Sequence, residues 1–201
     1  MLMDAELWNK RYAVADYIFG EEPNAFVADM SSHVPAGPVL CLAEGEGRNA
    51  VHFATLGHRV TAIDQSATGL EKARLLATKR RVGIETVLSD LGEYHILPKA
   101  WAGIVETFAH LPPPLRRQVH AEVVAGLQRG GVFILEAYTP AQLAFGTGGP
   151  KSPELLMNLK DLRVELAGLE LLIARELERD VVEGGGHTGR AAVVQILGRK
   201  P

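Results

Sequence analysis

The chain has 201 residues, of which 47% are hydrophobic, which suits one domain with a substantial core rather than two independent domains. Its net charge of −3 argues against a nucleic-acid partner or an anionic membrane surface. A single cysteine excludes an intrachain disulfide, and no apolar run reaches the ~20 residues of a membrane-spanning helix. We therefore expect a cytoplasmic protein, monomeric or homodimeric, that binds neither nucleic acid nor membrane.

Short apolar runs alternate with longer stretches of helical periodicity. In chain order, the predicted strands are residues 38–43, 59–64, 84–90, 102–108 and 132–138. The predicted helices are residues 4–18, 23–33, 48–56, 67–82 and 115–127. Ser66 is the expected N-cap of the fourth helix, and the pair Gly130–Gly131 is expected to end the fifth. Such alternation predicts parallel strands with helices on both faces of a sheet.

The last third of the chain departs from this alternation. A Gly/Pro-rich loop at 139–153 precedes a leucine stripe at helical spacing over 155–166. Two strand-like stretches, 169–182 and 189–198, are joined by the sequence EGGGHTG, which favours an antiparallel pair. The prediction is an α/β fold with a doubly wound sheet whose final strand turns back against the others.

A glycine turn follows the first predicted strand. Gly45 and Gly47 lie on either side of Glu46, and with Ala50 they satisfy G-x-G-x-x-G/A, the pattern of a dinucleotide-binding loop. Asp64 ends the next strand, where such folds place a carboxylate on the ribose hydroxyls. The glycines establish only a close approach of the backbone, so NAD is a fair hypothesis on spacing alone.

The two glutamates of this turn help to separate the possible ligands. Glu44 and Glu46 would repel a pyrophosphate, which such a turn binds through backbone N–H groups and the helix dipole. S-adenosylmethionine (SAM) has no phosphate and carries a sulfonium and an ammonium group, so nearby carboxylates suit it better. The alternative is that both glutamates point to solvent. A dehydrogenase would also need a separate substrate domain.

Eight segments carry a resemblance to a known family: WNKRY (8–12), FGEEPN (19–24), EGEGRNA (44–50), VTAIDQSATGLEKA (60–73), SDL (89–91), FAHLP (108–112), LQRGGVFILEAYTP (127–140) and EGGGHTGRAAVVQ (183–195). In this order they resemble the class I SAM-dependent methyltransferases, specifically the tellurite-resistance TehB-like branch. The resemblance implies a Rossmann-like sheet of seven strands with the last one antiparallel, and SAM as the cofactor.

The resemblance also implies contacts with the methionine part of SAM. Gly45 and Gly47 would bring the backbone close to it, with Glu44 and Glu46 in the same turn. Many class I enzymes carry an acid at the position that Ala43 occupies here. In this chain the acid has moved to Glu44, which leaves the ammonium contact open.

The same resemblance implies contacts with the adenosine part. Asp64 would accept hydrogen bonds from both ribose hydroxyls, with Gln65 beside the adenine. Asp90 would accept from the adenine amine, with the backbone of Leu91 nearby. A loop or helix cap is the alternative role for Asp90.

Four aromatic residues near the N-terminus are candidates for a lid over the cofactor: Trp8, Tyr12, Tyr17 and Phe19. Aromatic faces attract cations, the sulfonium included. Ordinary packing of an amphipathic helix is the alternative for Trp8 and Tyr12. We predict one domain, with a helical lid segment over 1–35 and a Rossmann-like core over 36–201.

Substrate-side residues are expected beyond the carboxyl ends of the strands. His110, after the fourth strand, is a candidate base or acceptor contact, with a backbone-bonded histidine as the alternative. Tyr138 is a second candidate, with core packing as the alternative. His187 and Arg190, in the glycine-rich hairpin, suit an anionic acceptor unless they belong to a solvated turn. No metal site is predicted, because the histidines lack ligand spacing.

These patterns predict a SAM-dependent methyltransferase that acts on a small molecule by in-line methyl transfer. The resemblance suggests tellurite, selenium or sulfur compounds, or another small acceptor. An NAD-dependent oxidoreductase and a non-catalytic SAM-binding protein are the alternatives.

Overall fold

The computed structural model describes residues 5–201. The strands are β1 (Pro38–Leu42), β2 (Arg59–Asp64), β3 (Glu85–Leu88), β4 (Trp101–Thr107), β5 (Leu127–Tyr138), β6 (Glu170–Glu183) and β7 (His187–Arg199). The α-helices are α1 (Ala5–Tyr12), α2 (Ala25–Met30), α3 (Arg48–Thr55), α4 (Ala67–Lys79), α5 (Pro113–Gly126) and α6 (Leu159–Glu165). None of the helices within the described range has the length and hydrophobicity required to cross a bilayer.

The strands form a seven-stranded sheet in the spatial order β3-β2-β1-β4-β5-β7-β6. The strands from β1 to β5 pair in parallel, whereas β7 lies antiparallel between β5 and β6. The predicted doubly wound, Rossmann-like sheet with an antiparallel last strand is confirmed. The chain reverses its direction of strand addition between β1 and β4, and a crevice for ligands is expected at the carboxyl ends of these strands.

Helices cover both faces of the sheet. Leu40 and Leu42 of β1 pack in a core with α5 and α6, while Val39 and Cys41 pack in a second core with α2 and α3. This alternation follows from the period of two along a strand. Because both faces are covered, the strand is apolar throughout, as is typical of parallel sheets.

A buried set of charges, the helix-side charge cluster, ties β4 to α5 and α6; its members are Glu106, Arg116, His120 and Glu165. Arg116 binds Glu165 through two nitrogens at 2.9 and 3.0 Å. The His120 Nδ1 atom lies 2.7 Å from Glu165, and its Nε2 atom lies 3.3 Å from Glu106. Burial alone would lower the pKa of His120, but Glu106 and Glu165 raise it to about 9. An imidazolium therefore bridges two carboxylates.

The first helix is shorter than its pattern predicts. The pattern extends to residue 18, but α1 ends at Tyr12 and residues 13–20 are irregular; we call Tyr12 together with this irregular segment (residues 12–20) the strap. Lys72 of α4 donates to the carbonyl groups of Val14 and Asp16, at 3.1 and 2.7 Å. These long-range bonds take acceptors that a continued helix would have used itself, and the strap bends over α4.

Two other boundaries differ from the prediction. The fifth predicted helix ends at Gly126 rather than at the pair Gly130–Gly131, which lies inside β5. A Cβ atom at Gly131 would lie 2.9 Å from the carbonyl oxygen of Trp101, so glycine permits close strand pairing there. The leucine-stripe helix begins only at Leu159, because the Asn158 side chain caps it by accepting from the backbone N–H of Asp161.

The two parts of the predicted lid segment have different surroundings. Phe26 and Val27 of α2 are buried in the core that also contains Val39 and Cys41. The strap instead contacts the glycine turn and α4. The division into a lid over 1–35 and a core over 36–201 stays a prediction, and residues 1–4 lie outside the described range.

Candidate active site

The turn between β1 and α3 has a left-handed backbone at Ala43, Gly45 and Gly47, with φ of 47°, 60° and 91°. Packing also requires both glycines. A Cβ atom at Gly45 would lie 2.5 Å from the hydroxyl oxygen of Tyr12, and one at Gly47 would lie 2.5 Å from the Cβ atom of Ala73. Gly47 therefore lets the turn pack on α4, and Gly45 lets Tyr12 lie across the turn.

Glu44 caps helix α3 from outside the helix. Its carboxylate accepts from the backbone N–H groups of Asn49 and Ala50, both at 2.8 Å. The N-cap residue, Gly47, has no side chain for this purpose, so Glu44 satisfies two of the unpaired donors of the first turn. Burial raises the pKa of Glu44 to about 7, although these hydrogen bonds oppose the change.

Glu46 faces the strap rather than the open crevice. Its carboxylate accepts from the backbone N–H of Ile18 at 2.9 Å and pairs with Lys72 at 2.5 Å. Glu44 and Glu46 are only 8% and 3% exposed, so the alternative that they point to solvent is wrong. The pairing with Lys72 escaped sequence reasoning because a contact between a turn and a later helix has no fixed spacing.

Asp64 joins the glycine turn to the start of α4. Its two carboxylate oxygens accept from the backbone N–H groups of Gly45 and Ser66, at 2.8 and 2.7 Å. Burial raises the pKa of Asp64, against the effect of these bonds. Each oxygen keeps capacity for a further hydrogen bond. Gln65 follows directly, so both residues lie at the carboxyl end of β2.

Asp90 and Leu91 lie at the same end of the sheet, after β3. The backbone N–H of Ser89 donates to the carbonyl oxygen of Asp64 at 3.1 Å, which brings the two strand ends together. The exposed carboxylate of Asp90 accepts from the backbone N–H of Gly92 at 2.6 Å, a local turn contact. Leu91 is buried in the core.

Seven rings form a continuous cluster, the ring cluster, at the carboxyl ends of the strands: Trp8, Tyr12, Phe19, Phe108, His110, Tyr138 and His187. Trp8 stacks on Tyr12 with ring centroids 5.3 Å apart. Phe19 lies 4.4 Å from His187, and His110 lies nearly parallel to Tyr138 at 5.6 Å. The structure thus brings together His110, Tyr138 and His187, which were predicted separately.

His110 is bonded to the backbone but keeps one nitrogen unpaired. Its Nδ1 atom lies 3.1 Å from the carbonyl oxygen of Leu155, and since a carbonyl only accepts, Nδ1 is the donor. The Nε2 atom is buried and has no hydrogen-bond partner within residues 5–201. Burial lowers the pKa of His110 to about 4, so the ring is neutral at neutral pH.

His187 and Arg190 do not act as a pair. His187 is buried, with its Nδ1 atom 3.9 Å from Glu183, and burial lowers its pKa against the opposing effect of that carboxylate. The guanidinium of Arg190 lies 3.3 Å from Glu178 and 3.7 Å from Asp180. Residues three apart on one strand point to opposite faces of the sheet, which separates the two side chains.

The guanidinium of Arg11 lies against the ring cluster instead. It stands 5.1 Å from the ring of Trp8 and 5.3 Å from the ring of Phe19. Cation–π contacts at such distances are favourable, although modest where the cation is exposed. Sequence reasoning did not select Arg11, which lies inside the quoted motif WNKRY.

A second set of charged side chains, together with two amides, adjoins the rings. We call it the site-side charge cluster; its members are Asn24, Arg48, Glu136, Arg179, Glu183 and Gln195. The Asn24 amide bridges Glu136 and Glu183, at 3.0 and 2.9 Å. Arg48 pairs with Glu183 at 2.6 Å, and Arg179 binds both glutamates. In the sequence, the one indication of this cluster is Glu136, a glutamate within the otherwise apolar run VFILEAY (132–138).

The chain is similar to known proteins in its sequence and in its fold. Residues 39–131 match a family described as "Methyltransferase domain". No curated protein matches the chain. The domain match indicates a methyltransferase, with SAM as its cofactor.

Solved structures show the same fold. TehB from Haemophilus influenzae has a TM-score of 0.72 and 20% identity, over 98% of this chain and 67% of that one. A SAM-dependent methyltransferase from Anabaena variabilis has a TM-score of 0.69 and 16% identity, over 98% and 93%. A structure reported for the conversion of a disulfide bond into a thioacetal group during echinomycin biosynthesis gives 0.75 and 20%, over 98% and 91%. The predicted class I methyltransferase fold is confirmed.

Proposed function

We propose that this methyltransferase acts on a small molecule by in-line transfer, and that the acceptor atom is sulfur, selenium or tellurium. The observation that carries the proposal is the ring cluster, whose titratable members are poor proton acceptors at neutral pH.

The residues of the turn fit SAM better than a dinucleotide. In a dinucleotide site the pyrophosphate binds the free N–H groups at a helix N-terminus. Here the Glu44 carboxyl group already accepts from Asn49 and Ala50, so two of these N–H groups are occupied. This arrangement counts against the oxidoreductase alternative. When bound, SAM supplies an electrophilic methyl group on a sulfonium.

We assign the cofactor contacts to the carboxyl ends of β1, β2 and β3. In this proposal Asp64 accepts from the ribose hydroxyls through the capacity left on its two oxygens. Gln65, Asp90 and Leu91 lie on the adenine side, and Gly45 and Gly47 on the methionine side. Tyr12 connects this region to the ring cluster, because it lies against Gly45 and stacks on Trp8.

The ring cluster favours an acceptor that needs no general base. Burial lowers the pKa of His110 to about 4, and it also lowers the pKa of His187. Burial, with help from Glu183, raises the pKa of Tyr138 to about 12. A neutral amine or hydroxyl usually must lose a proton when it is methylated. A thiolate or an anionic selenium or tellurium compound has no such need, and the unpaired Nε2 atom of His110 can accept a hydrogen bond from a bound water.

Two comparisons support this class of acceptor. The resemblance to the TehB-like branch implies tellurite, and TehB itself is among the structural neighbours. Another neighbour was studied in the conversion of a disulfide to a thioacetal, a change at sulfur. We extend this chemistry to the present chain as a proposal.

A radiolabelled methyl-transfer screen tests the acceptor class. The purified chain is incubated with labelled SAM and tellurite, selenite, thiols, amines or carboxylates. We expect S-adenosylhomocysteine to form with a tellurium, selenium or sulfur compound. Turnover of amines or carboxylates only would refute the acceptor class. Binding of SAM without turnover of any acceptor would favour the non-catalytic alternative, and binding of NAD without SAM would refute the cofactor.

The substitution Asp64→Ala tests the cofactor site at one residue. We expect it to weaken SAM binding by roughly 1–3 kcal/mol, because charge-assisted hydrogen bonds to the ribose are lost. Isothermal titration measures the change. Glu170→Ala is the control, since the half-exposed Glu170 pairs with Arg199 and has no assigned role in the cofactor site. An unchanged affinity in Asp64→Ala would show that Asp64 does not hold the cofactor.

A further inference from the structure

We propose that Glu46 and Lys72 are positioning residues that form a latch, which holds the strap (residues 12–20) across the glycine turn and so builds one wall of the cofactor site. This inference rests on the proposed function. It assigns Glu46 an indirect effect on SAM, through the strap, in place of the direct contact that the family resemblance implies.

The ammonium group of Lys72 is fully engaged in the latch. It lies 2.5 Å from Glu46 and donates to the carbonyl oxygens of Asp16 and Val14, at 2.7 and 3.1 Å. The carbonyl oxygen of Tyr12 lies 3.5 Å away as a further acceptor, so the three donors of the ammonium group face only Glu46 and strap carbonyls. Lys72 is only 9% exposed, and a buried lysine is tolerated only when its charge is paired and hydrogen-bonded.

Glu46 holds the other end of the strap. Its Oε2 atom accepts from the backbone N–H groups of Ile18 and Phe19, at 2.9 and 3.4 Å. Its Oε1 atom pairs with Lys72, so both oxygens are directed to the strap or to α4. A carboxylate committed in this way is not available to bind the cofactor directly.

The glycine-rich hairpin between β6 and β7 is shaped to receive the strap. The backbone N–H of Gly186 donates to the carbonyl oxygen of Ile18 at 2.9 Å. A side chain at Gly184 would collide with that carbonyl group, and one at Gly186 would lie 2.7 Å from the ring of Phe19. The glycines that suggested a tight turn therefore also permit the strap to cross the hairpin.

The latch sets the position of a residue on each side of the site. Tyr12, at the start of the strap, lies against Gly45 of the cofactor turn. Phe19, near its end, packs 4.4 Å from His187 on the acceptor side. Because both are carried by the latched segment, opening the latch moves them together. A preorganised wall reduces the ordering cost of binding, so its loss weakens affinity.

The chain offers a matched control on the same helix. Lys79 pairs with Glu21, just beyond the strap, at 2.6 Å. The Lys79 side chain is 60% exposed, whereas that of Lys72 is 11% exposed. Exposed ion pairs contribute little, so the same chemistry at Lys79 is not expected to hold the strap.

The experiment compares Lys72→Met, Glu46→Gln and the double variant with Lys79→Met. S-adenosylhomocysteine is titrated calorimetrically, and hydrogen exchange is followed at the amides of Ile18 and Phe19. We expect each single latch variant to bind about tenfold more weakly and to exchange faster at both amides. The double variant should have about the same affinity as the single variant that binds more weakly, because either change alone opens the latch. Lys79→Met should stay within about twofold of the wild type.

The two readouts separate this inference from the proposed function. Unchanged affinity in variants with fast amide exchange would refute the positioning role. An equal loss in Lys79→Met would refute the special role of the buried pair. If the wild type binds neither SAM nor S-adenosylhomocysteine, the proposed cofactor fails. Amide exchange then still tests the latch, which is refuted if Lys72→Met leaves Ile18 and Phe19 as protected as before.

Discussion

The two faces of the sheet each carry a buried charge cluster, and the clusters connect different parts of the molecule. In the site-side cluster, Arg48 donates to the carbonyl oxygen of Phe19, and Glu183 lies beside His187. That cluster therefore connects the glycine turn, the strap and the hairpin. The helix-side cluster joins β4 to α5 and α6, and within residues 5–201 its ion pairs stay among its own members.

Substitutions in the two charge clusters should therefore differ in their effects. Removal of one partner from either cluster leaves a buried charge without its partner, which is costly wherever it occurs. Only the site-side cluster also positions residues of the candidate active site. Changes on that face should therefore affect both stability and cofactor binding, whereas changes on the other face should affect stability alone.

The largest effect is expected from Glu136→Leu. Glu136 is fully buried and accepts from Arg179, Asn24 and Gln195. Its loss should lower the free energy of unfolding by about 3–5 kcal/mol, because three donors lose this acceptor and Arg48 and Arg179 are left with Glu183 as their one shared carboxylate. Urea denaturation followed by circular dichroism measures this change.

The control for this variant is Glu170→Leu. Glu170 pairs with Arg199 at 2.6 Å, but both side chains are about half exposed. We expect a change of about 0–1 kcal/mol there. Equal losses in the two variants would show that burial of the site-side cluster is not what matters.

An intermediate effect is expected from pH acting on the helix-side cluster. The folded pKa of His120, about 9, lies above its ordinary value of 6.5. The stabilisation is therefore complete below pH 6.5 and is lost as the pH rises through 9. We expect the free energy of unfolding to fall by roughly 1–3 kcal/mol over this interval, as measured by denaturation at each pH.

The double variant His120→Gln/Glu106→Gln serves as the control for this pH dependence. It removes the imidazolium together with the carboxylate that would otherwise remain buried without it. Its stability curve should be flatter than that of the wild type between pH 6.5 and 9, with affinity for S-adenosylhomocysteine retained. A weaker affinity would contradict the assignment of this cluster to stability alone.

The smallest effect is expected from Arg190→Gln. Its guanidinium pairs with Glu178 and Asp180 and is half exposed. We expect less than about 1 kcal/mol in stability and no measurable change in methyl transfer. A large loss of transfer would restore Arg190 to the acceptor site.

Some residues of the site could be selected from the sequence, whereas Glu136 could not. His110 and Tyr138 were selected because strand ends meet at one edge of a sheet, a rule that needs no side-chain detail. Glu136 lies in the same strand as Tyr138, yet its side-chain partners come from three other segments, at Asn24, Arg179 and Gln195. Such partners have no fixed spacing and could not be selected from the sequence.

The sequence by itself determined the elements and their order. Apolar runs marked the strands, and Ser66 caps α4 as its side chain predicts. These features are local, since they depend on residues within one turn of helix or one strand. Glycine spacing likewise located the turn between β1 and α3.

Only the tertiary structure decided where the charges of the turn point. Glu44 faces the N-terminus of α3, and Glu46 faces Lys72 and the strap. The orientation of Glu46 depends on how the turn, α4 and the N-terminal segment pack together. Because low dielectric makes an unpaired buried charge costly, both carboxyl groups are partnered. Glu46 takes its partners from distant segments, Lys72 and the strap, whereas Glu44 is bonded to the first turn of the helix that follows it.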